Sequence, residues 1–316
     1  MRNSLSSFIV VSLLLLVSCS AGDRNCDDIH AKNYHKRATT DEGCIFPETS
    51  QSPLLLTSLQ KKVKETSGLA IIDDEIFTHN DQGNDNHLYV IDAQTGKVDK
   101  TIIVANTTNE DWEDLAMSNT HLFIGDMGNN RGDRQNLRIF SVAKSALRSA
   151  EDLSSVPIDG VIEFSYPEQT VFIDRNHNFD CEAILYHEGH LYLFTKHRAD
   201  NRTNLYRLPA QTGVYEAQMI ASFPAGGRVT GADISPSGKS VVICGYLKSS
   251  DVFLWEFTDF TGDNFFSGKK RKITLGPFSS IGQVEAVVFK NENTLYLSSE
   301  KVKEYNLDAR LYRTQL

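Results

Sequence analysis

Basic residues are scarce in this chain. Its 316 residues include 32 Lys and Arg against 41 Asp and Glu, for a formal charge of −9. Nucleic-acid affinity rests on neutralising phosphates, so this balance argues against a nucleic-acid-binding surface and favours a basic partner or a cation. Long apolar runs are missing too: Phe8 to Val17 is too short to cross a bilayer. Nowhere does the chain carry G-x-S-x-G, H-E-x-x-H or a phosphate loop, which leaves the common hydrolase and nucleotide-binding machineries without support. Low-complexity tracts are absent. With 40% apolar residues, 20 Gly and 8 Pro, the remainder reads as globular, with room for one large all-β domain or two smaller ones.

The first residues, "MRNSLSSFIVVSLLLLVSCS", place Arg2 before that apolar run, the pattern of an export signal. Leu16-Val17-Ser18-Cys19 resembles the bacterial lipobox. The resemblance implies cleavage after residue 18, diacylglycerol and palmitate-type acylation at Cys19, and a cell-envelope lipoprotein held by its lipid, with Ser20 pointing to the outer membrane. The face on which it sits is left open. Export also implies an oxidising compartment for Cys26, Cys44, Cys181 and Cys244. Residues 26–44, "CDDIHAKNYHKRATTDEGC", resemble a cysteine-bracketed module of exported Gram-negative proteins through Cys26, Ala31, Asn33, Tyr34, Ala38, Thr39, Asp41, Gly43 and Cys44. That likeness implies a Cys26–Cys44 disulfide, in a lipidated tether over 19–52 that acts as a spacer. Cys181 and Cys244 lie in apolar strand patterns and read as buried thiols.

From residue 53 to 316 the chain repeats a unit of strand, tight turn, strand, loop, strand. First strands begin "SGLAII" at Ser67, "EDLAMS" at Glu113, "EAILYH" at Glu182, "ADISPS" at Ala232 and "EAVVFK" at Glu285. Second strands such as "HLFIGDM" and "HLYLFTK" are rich in β-branched and aromatic residues. The fifth unit stops one strand short, at Leu316. The unassigned "PLLLTSLQKKVKE" from Pro53 can supply that strand and close a ring without free edges. The pattern predicts an all-β, five-bladed β-propeller closed by an N-terminal strand. A six-bladed alternative needs a blade between Glu113 and Glu182, where "KSALRSAEDLSSVP" reads instead as a helical excursion.

A propeller brings the starts of its inner strands and the ends of its second strands to one face. Glu113, Asp114, Glu182, Asp233 and Glu285 hold the first positions, whereas His79, Asn80, Asp81, Asp126, Asn129, Lys196, His197, Tyr246, Ser299, Glu300 and Lys301 hold the second. Turn residues are polar because loops are solvated, but solvation does not require Glu at one repeat position in three units. The predicted site is therefore the axial mouth. "DRNHNFDCE" alternates Asp174, Asn176, Asn178 and Asp180 like a calcium loop, yet Phe179 replaces the required Gly, so it reads as a polar turn. Arg131-Gly132-Asp133 reads as a chance tripeptide.

"ETSGLA", "THNDQGNDNHLYVID", "NEDWEDLA", "IGDMGNNRGD", "DCEAILY", "VTGADISPSG" and "VEAVVF" together resemble a group of poorly characterised exported bacterial propellers and, more distantly, the esterase-like propellers related to phytases. The likeness implies an exported propeller, with hydrolysis suspected in some relatives. Phytase propellers carry calcium clusters on this kind of face, and this chain does not match them residue by residue. Two functions stay open. One is a binding module whose mouth, with Trp112, Tyr246, Asn80 and Asn129 as contacts, recognises an extracellular ligand or protein. The other is a hydrolase of esters or phosphoesters, in which Glu113, Asp126, Glu182 and Glu285 hold a calcium-like ion and His79 or His197 is the base. Lys196 and Lys301 could instead neutralise the acids as an ion-pair ring.

Overall fold

The computed structural model describes residues 26–39, 43–172 and 175–316. Residues 1–18, expected to form the leader, Cys19, expected to carry the lipid, Asp41 and Asp174 lie outside the described residues. No helix among the described residues is long and apolar enough to cross a membrane.

Five antiparallel sheets form five blades around an axis, a five-bladed β-propeller. Their inner strands are Thr66–Ile72, Trp112–Met117, Cys181–His187, Arg228–Ile234 and Gln283–Phe289. Each is followed by second and third strands that alternate side chains between the two neighbouring blades. Apolar residues therefore appear on both strand faces, and five clusters fill the five junctions. Phe77 and Trp112 join blades 1 and 2, Phe123 and Leu193 join 2 and 3, Phe194 and Ile243 join 3 and 4, Cys244 and Leu297 join 4 and 5, and Val288 and Leu69 join 5 and 1. Cys181 and Cys244 are buried thiols.

The ring closes as the sequence predicts: Leu54–Ser58 runs antiparallel to Arg310–Gln315 and completes blade 5. No sixth blade exists between Glu113 and Glu182. That interval holds a helix, Lys144–Ser149, and a short strand, Ser155–Val156, laid parallel on the outer strand of blade 1. Blade 2 receives Gly213–Glu216 in the same way.

The cysteine-bracketed module differs from a free spacer. Cys26 and Cys44 form the expected disulfide, but the segment that follows docks on blade 4. Lys270 N–H donates to Cys44 O at 2.7 Å, Phe46 N–H donates to Lys270 O at 2.9 Å, and Thr49–Ser50 pairs parallel with Ile273 and Thr274. The tether is a cover for an outer edge.

Every inner strand carries a β-bulge at the same place, between Thr66 and Leu69, Trp112 and Asp114, Cys181 and Ala183, Val229 and Gly231, and Val284 and Ala286. A bulge sets two residues against one and re-aims a side chain. Glu113, Glu182, Thr230 and Glu285 occupy the extra position, with Ser67-Gly68 in blade 1. Small residues beside it let neighbouring inner strands approach: a Cβ on Gly231 would stand 2.9 Å from Glu285 O and from Ala286 Cα.

Truncation separates the two N-terminal strands. A chain beginning at Gln51 loses only the cover of blade 4 and should melt cooperatively at a somewhat lower temperature. A chain beginning at Lys61 also loses Leu54–Ser58, which bares the third strand of blade 5, and should aggregate. Size-exclusion chromatography with thermal melts checks both; a soluble, cooperative second truncation would contradict N-terminal closure.

Candidate functional site

The mouth is built from the residues around the five bulges and the loops that face them. Asp81, Glu113, Asp180, Glu182, Glu285 and Glu300 feel the Lys196 ammonium there, Asp180 also feels Arg198, Glu285 feels Lys248, and Asp111 feels Arg134. Three blades place most of them. In blade 3, Lys196 Nζ meets Glu182 at 2.7 Å, and both side chains are buried. Glu182 and the other carboxylates hold the Lys196 ammonium well above its ordinary pKa, overriding burial. Asp180 is saturated: Asn129 N–H donates to Oδ1 at 2.6 Å and Arg198 Nη2 to Oδ2 at 2.7 Å. Burial opposes its charge, but Lys196 and Arg198 outweigh burial and keep its pKa low.

Blades 1 and 2 lack such cations. Asp111 stands just before the inner strand of blade 2 and is 1% exposed. Its backbone N–H donates to Asp126 Oδ1 at 3.0 Å, while neither of its carboxylate oxygens has a hydrogen-bond partner among the described residues. Burial, then the charges of Asp81 and Asp180, push its pKa up to about 7. Glu113, with Oε1 also lacking a partner among the described residues, is raised by burial and then by Glu182. Asn109 fixes Asp81 against them, since Nδ2 donates to Asn80 O at 2.8 Å and Asp81 O at 3.1 Å while Oδ1 accepts Trp112 N–H at 3.0 Å. In blade 5, Gln283 Nε2 donates to both Glu285 Oε1 (2.5 Å) and Glu300 Oε2 (3.0 Å). Their other oxygens are buried without partners among the described residues, and burial raises Glu285 to about 7.

Several residues expected at the site serve the fold instead. Trp112 is fully buried between blades 1 and 2, with Nε1 donating to Thr108 O at 3.1 Å. His79 is fully buried edge-on to Trp112, donates from Nδ1 to Asn80 O and accepts Gly68 N–H at Nε2. Burial lowers its pKa to about 4, so it is a neutral strut and neither contact nor base. Asn80 joins Glu65 N–H to Lys62 O, and Asn129 joins Phe179 O to Arg134 N–H. Asp126 is no metal ligand, because Arg134 holds Oδ1 at 3.1 Å and Arg138 holds Oδ2 at 2.9 Å. Lys301 turns outward to Asp308 at 3.1 Å, so no two-lysine ring forms.

Asp114 and Asp233 leave the mouth for other reasons. The carboxylate of Asp114 plugs the channel, accepting N–H groups from Leu115, Ile184 and Ala232. Asp233 lies near the far end of its strand, where Oδ2 accepts Phe289 N–H at 2.7 Å. It lines a depression of about 470 Å³ on the opposite face with Met117, Tyr186 and Lys144. Starting the fourth repeat at Ala232 misplaced it; the equivalent of Glu113 is Thr230. Tyr246 is buried, with its phenol in the field of Lys196. His197 is buried, donates from Nδ1 to Asp200 Oδ1 at 2.8 Å, and has no partner at Nε2 among the described residues.

The chain is thus a five-bladed propeller with an acidic axial mouth, half of it neutralised by buried cations. No family model matches it, and neither does any curated protein. Solved structures with a similar course include Kuenenia stuttgartiensis hydrazine synthase (12% identity, 90% of this chain and 66% of that one, TM-score 0.39). A 6-phosphogluconolactonase-like protein of Bacteroides uniformis gives 13% identity, 78% and 66% coverage and TM-score 0.40. A chain of the mitotic checkpoint complex gives 13%, 78%, 77% and 0.39. This chain spans about two thirds of the first two, and the likenesses say nothing of the mouth.

Burial raises the pKa of Asp233 to about 7 from 3.8. The native state then binds this proton more tightly than the unfolded chain, so the stability contributed by Asp233 is fully present below about pH 4 and is lost as pH rises through 7. The full shift corresponds to ~4 kcal/mol, and partial contact with water reduces this to about 2 kcal/mol. Asp233→Asn keeps the acceptor for Phe289 N–H. Denaturant melts should match wild type near pH 4 and show the variant more stable by about 2 kcal/mol at pH 8.

Proposed function

We propose that this chain is a lipid-anchored protein of the bacterial cell envelope whose acidic mouth binds an extracytoplasmic ligand that brings positive charge. The anchor reading rests on Leu16-Val17-Ser18-Cys19 behind an apolar run with a basic start. The binding reading rests on one observation: Glu285 and Glu300 share a single donor, Gln283, and each keeps a buried oxygen without a partner among the described residues. A buried acceptor left unmade costs roughly 1–3 kcal/mol, more when charged, and a cationic group entering the mouth removes that cost.

A second reading, hydrolysis of esters or phosphoesters, is favoured by His197. Asp200 orients its imidazole through Nδ1, burial keeps it neutral, and Nε2 is the free basic nitrogen of a general base. Turnover of aryl esters or phosphates that His197→Gln abolishes would select this reading.

Cys19→Ala should release the full chain from membranes after a high-salt wash without changing its melting behaviour; retention in the pellet would rule out the lipid anchor. In a chelating, calcium-free buffer, tri-lysine should bind the purified protein and tri-glutamate should not. Loss of the Glu300 charge in Glu300→Gln should weaken tri-lysine about tenfold by calorimetry, the effect of one charge-assisted hydrogen bond. Binding of tri-glutamate alone would refute the acidic-mouth reading.

A further inference from the structure

Two groups of carboxylates are close enough to share an ion, with ligand oxygens within 4.8 Å of one another: Asp81, Asp111 and Glu113, and Glu113, Asp180 and Glu182. Their surroundings separate them. In the second group the Asp180 oxygens are taken by Asn129 N–H and Arg198 and Glu182 Oε2 by Lys196, which leaves Glu182 Oε1 without a partner among the described residues but puts two cations inside the group. In the first, both oxygens of the buried Asp111 and Oε1 of Glu113 have no partner among the described residues. We propose that Asp81, Asp111 and Glu113 bind one calcium ion at the mouth.

Several features converge on that assignment. The donors are all oxygens, which suits a hard cation and argues against zinc. Oxygens that lie within 4.8 Å of one another fit a shell with Ca–O distances of about 2.4 Å, and calcium accepts irregular carboxylate sets where magnesium demands a near-ideal octahedron and keeps most of its waters. Gln82 N–H donates to Asp81 Oδ1, and the other supporting residues hold the carboxylates without consuming them. Asp126 accepts the N–H of Asp111 while its own charge is met by Arg134 and Arg138, Asn109 ties the Asp81 backbone to blade 2, and the bulge aims Glu113. Gly128 closes the back of the site. A Cβ there would stand 2.0 Å from Glu113 Oε1 and 2.5 Å from Asp111 Oδ2, so only glycine leaves the two carboxylates where they are.

The inference rests on reading the mouth as a binding site and supplies the positive charge that reading calls for. A calcium ion held on three carboxylates keeps positions for water or for an oxygen of the ligand, so the ligand class becomes carboxylates, phosphates or polyols recognised through the metal.

The test is a thermal melt of the full chain in calcium chloride and in chelator. At a calcium concentration about 100 times Kd, the wild-type midpoint should rise by roughly 5 °C. Asp111→Asn should melt at or above wild type in chelator, because a crowded buried charge is gone, and should lose the calcium shift. Gly128→Ala, which changes no charge, should lose the shift as well. Identical wild-type melts in the two buffers would overturn the site. So would an Asp111→Asn protein that is lowered equally in both, since that marks a structural role. An equal shift with magnesium would overturn the assignment to calcium. Glu300→Gln should keep the calcium shift, so failure of tri-lysine to bind leaves this site standing, and absence of the shift leaves tri-lysine binding standing.

Discussion

A single carboxylate holds the axis. Closing five blades leaves five inner strands with one edge turned to a channel too narrow for a further strand, and buried backbone N–H groups cannot be left unmade there. Asp114 answers this with one side chain, accepting N–H groups from its own blade, from Ile184 in blade 3 and from Ala232 in blade 4. Ser67 and Thr230 add hydroxyl bonds to Glu113 O and Val284 O, and Asp233 accepts Phe289 N–H. Each of the five inner strands is thereby tied to another by a side chain crossing the axis. Burial raises Asp114 well above the ordinary carboxyl range in spite of its three donors, so the ring is held by a group whose charge the fold disfavours.

Above that plug the same geometry creates the opposite problem. Bulges at the same place in all five inner strands aim their extra residues toward one mouth, and three of these residues are glutamates. Carboxylate oxygens that lie within 4.8 Å of one another repel by at least about 3 kcal/mol per charged pair at an effective dielectric near 20. Blade 3 meets this from within, because Lys196 and Arg198 follow its second strand and reach back to Glu182 and Asp180. Blade 2 spends its arginines on Asp126, one shell further out. That allocation fixes the position of Asp111 and offsets its charge through the field of Arg134, with no hydrogen bond to its oxygens among the described residues.

Much of the architecture was legible in the sequence because blade repetition is a period-two signal punctuated by turns, and the missing strand of the last unit called for a partner at the start. Glu113, Glu182 and Glu285 stood out for the same reason: each precedes a small or acidic residue and an apolar run. Thr230 was hidden because it is not acidic, although Val229-Thr230-Gly231 parallels Val284-Glu285-Ala286. The rest fails on rotation and partners. A polar residue near a strand end faces either the mouth or a blade junction, and the sequence does not record which, so Trp112, His79 and Asn80 were read as accessible. Asp126 looked like Asp111 until the fold brought Arg134 and Arg138 against it from the far side of a loop. Asp111 itself lies one residue outside the strand pattern, and only its burial separates it from an ordinary solvated turn acid.

The outer edges of three blades follow one rule. Blades 1, 2 and 4 are each covered by a short parallel strand taken from elsewhere, namely Ser155–Val156, Gly213–Glu216 and Thr49–Ser50. A parallel strand of two to four residues adds little pairing energy, so its effect lies in denying an edge to other chains. The cover of blade 4 continues from the disulfide-bonded module, whose Cys44 carbonyl and Phe46 N–H already pair with Lys270. The chain ahead of the propeller is therefore fastened to the rim of one blade, while the mouth is formed by loops at one end of the axis. Rim and mouth are separate surfaces, so any constraint on the N-terminal segment acts on the rim and leaves the carboxylates of the mouth open to approach along the axis.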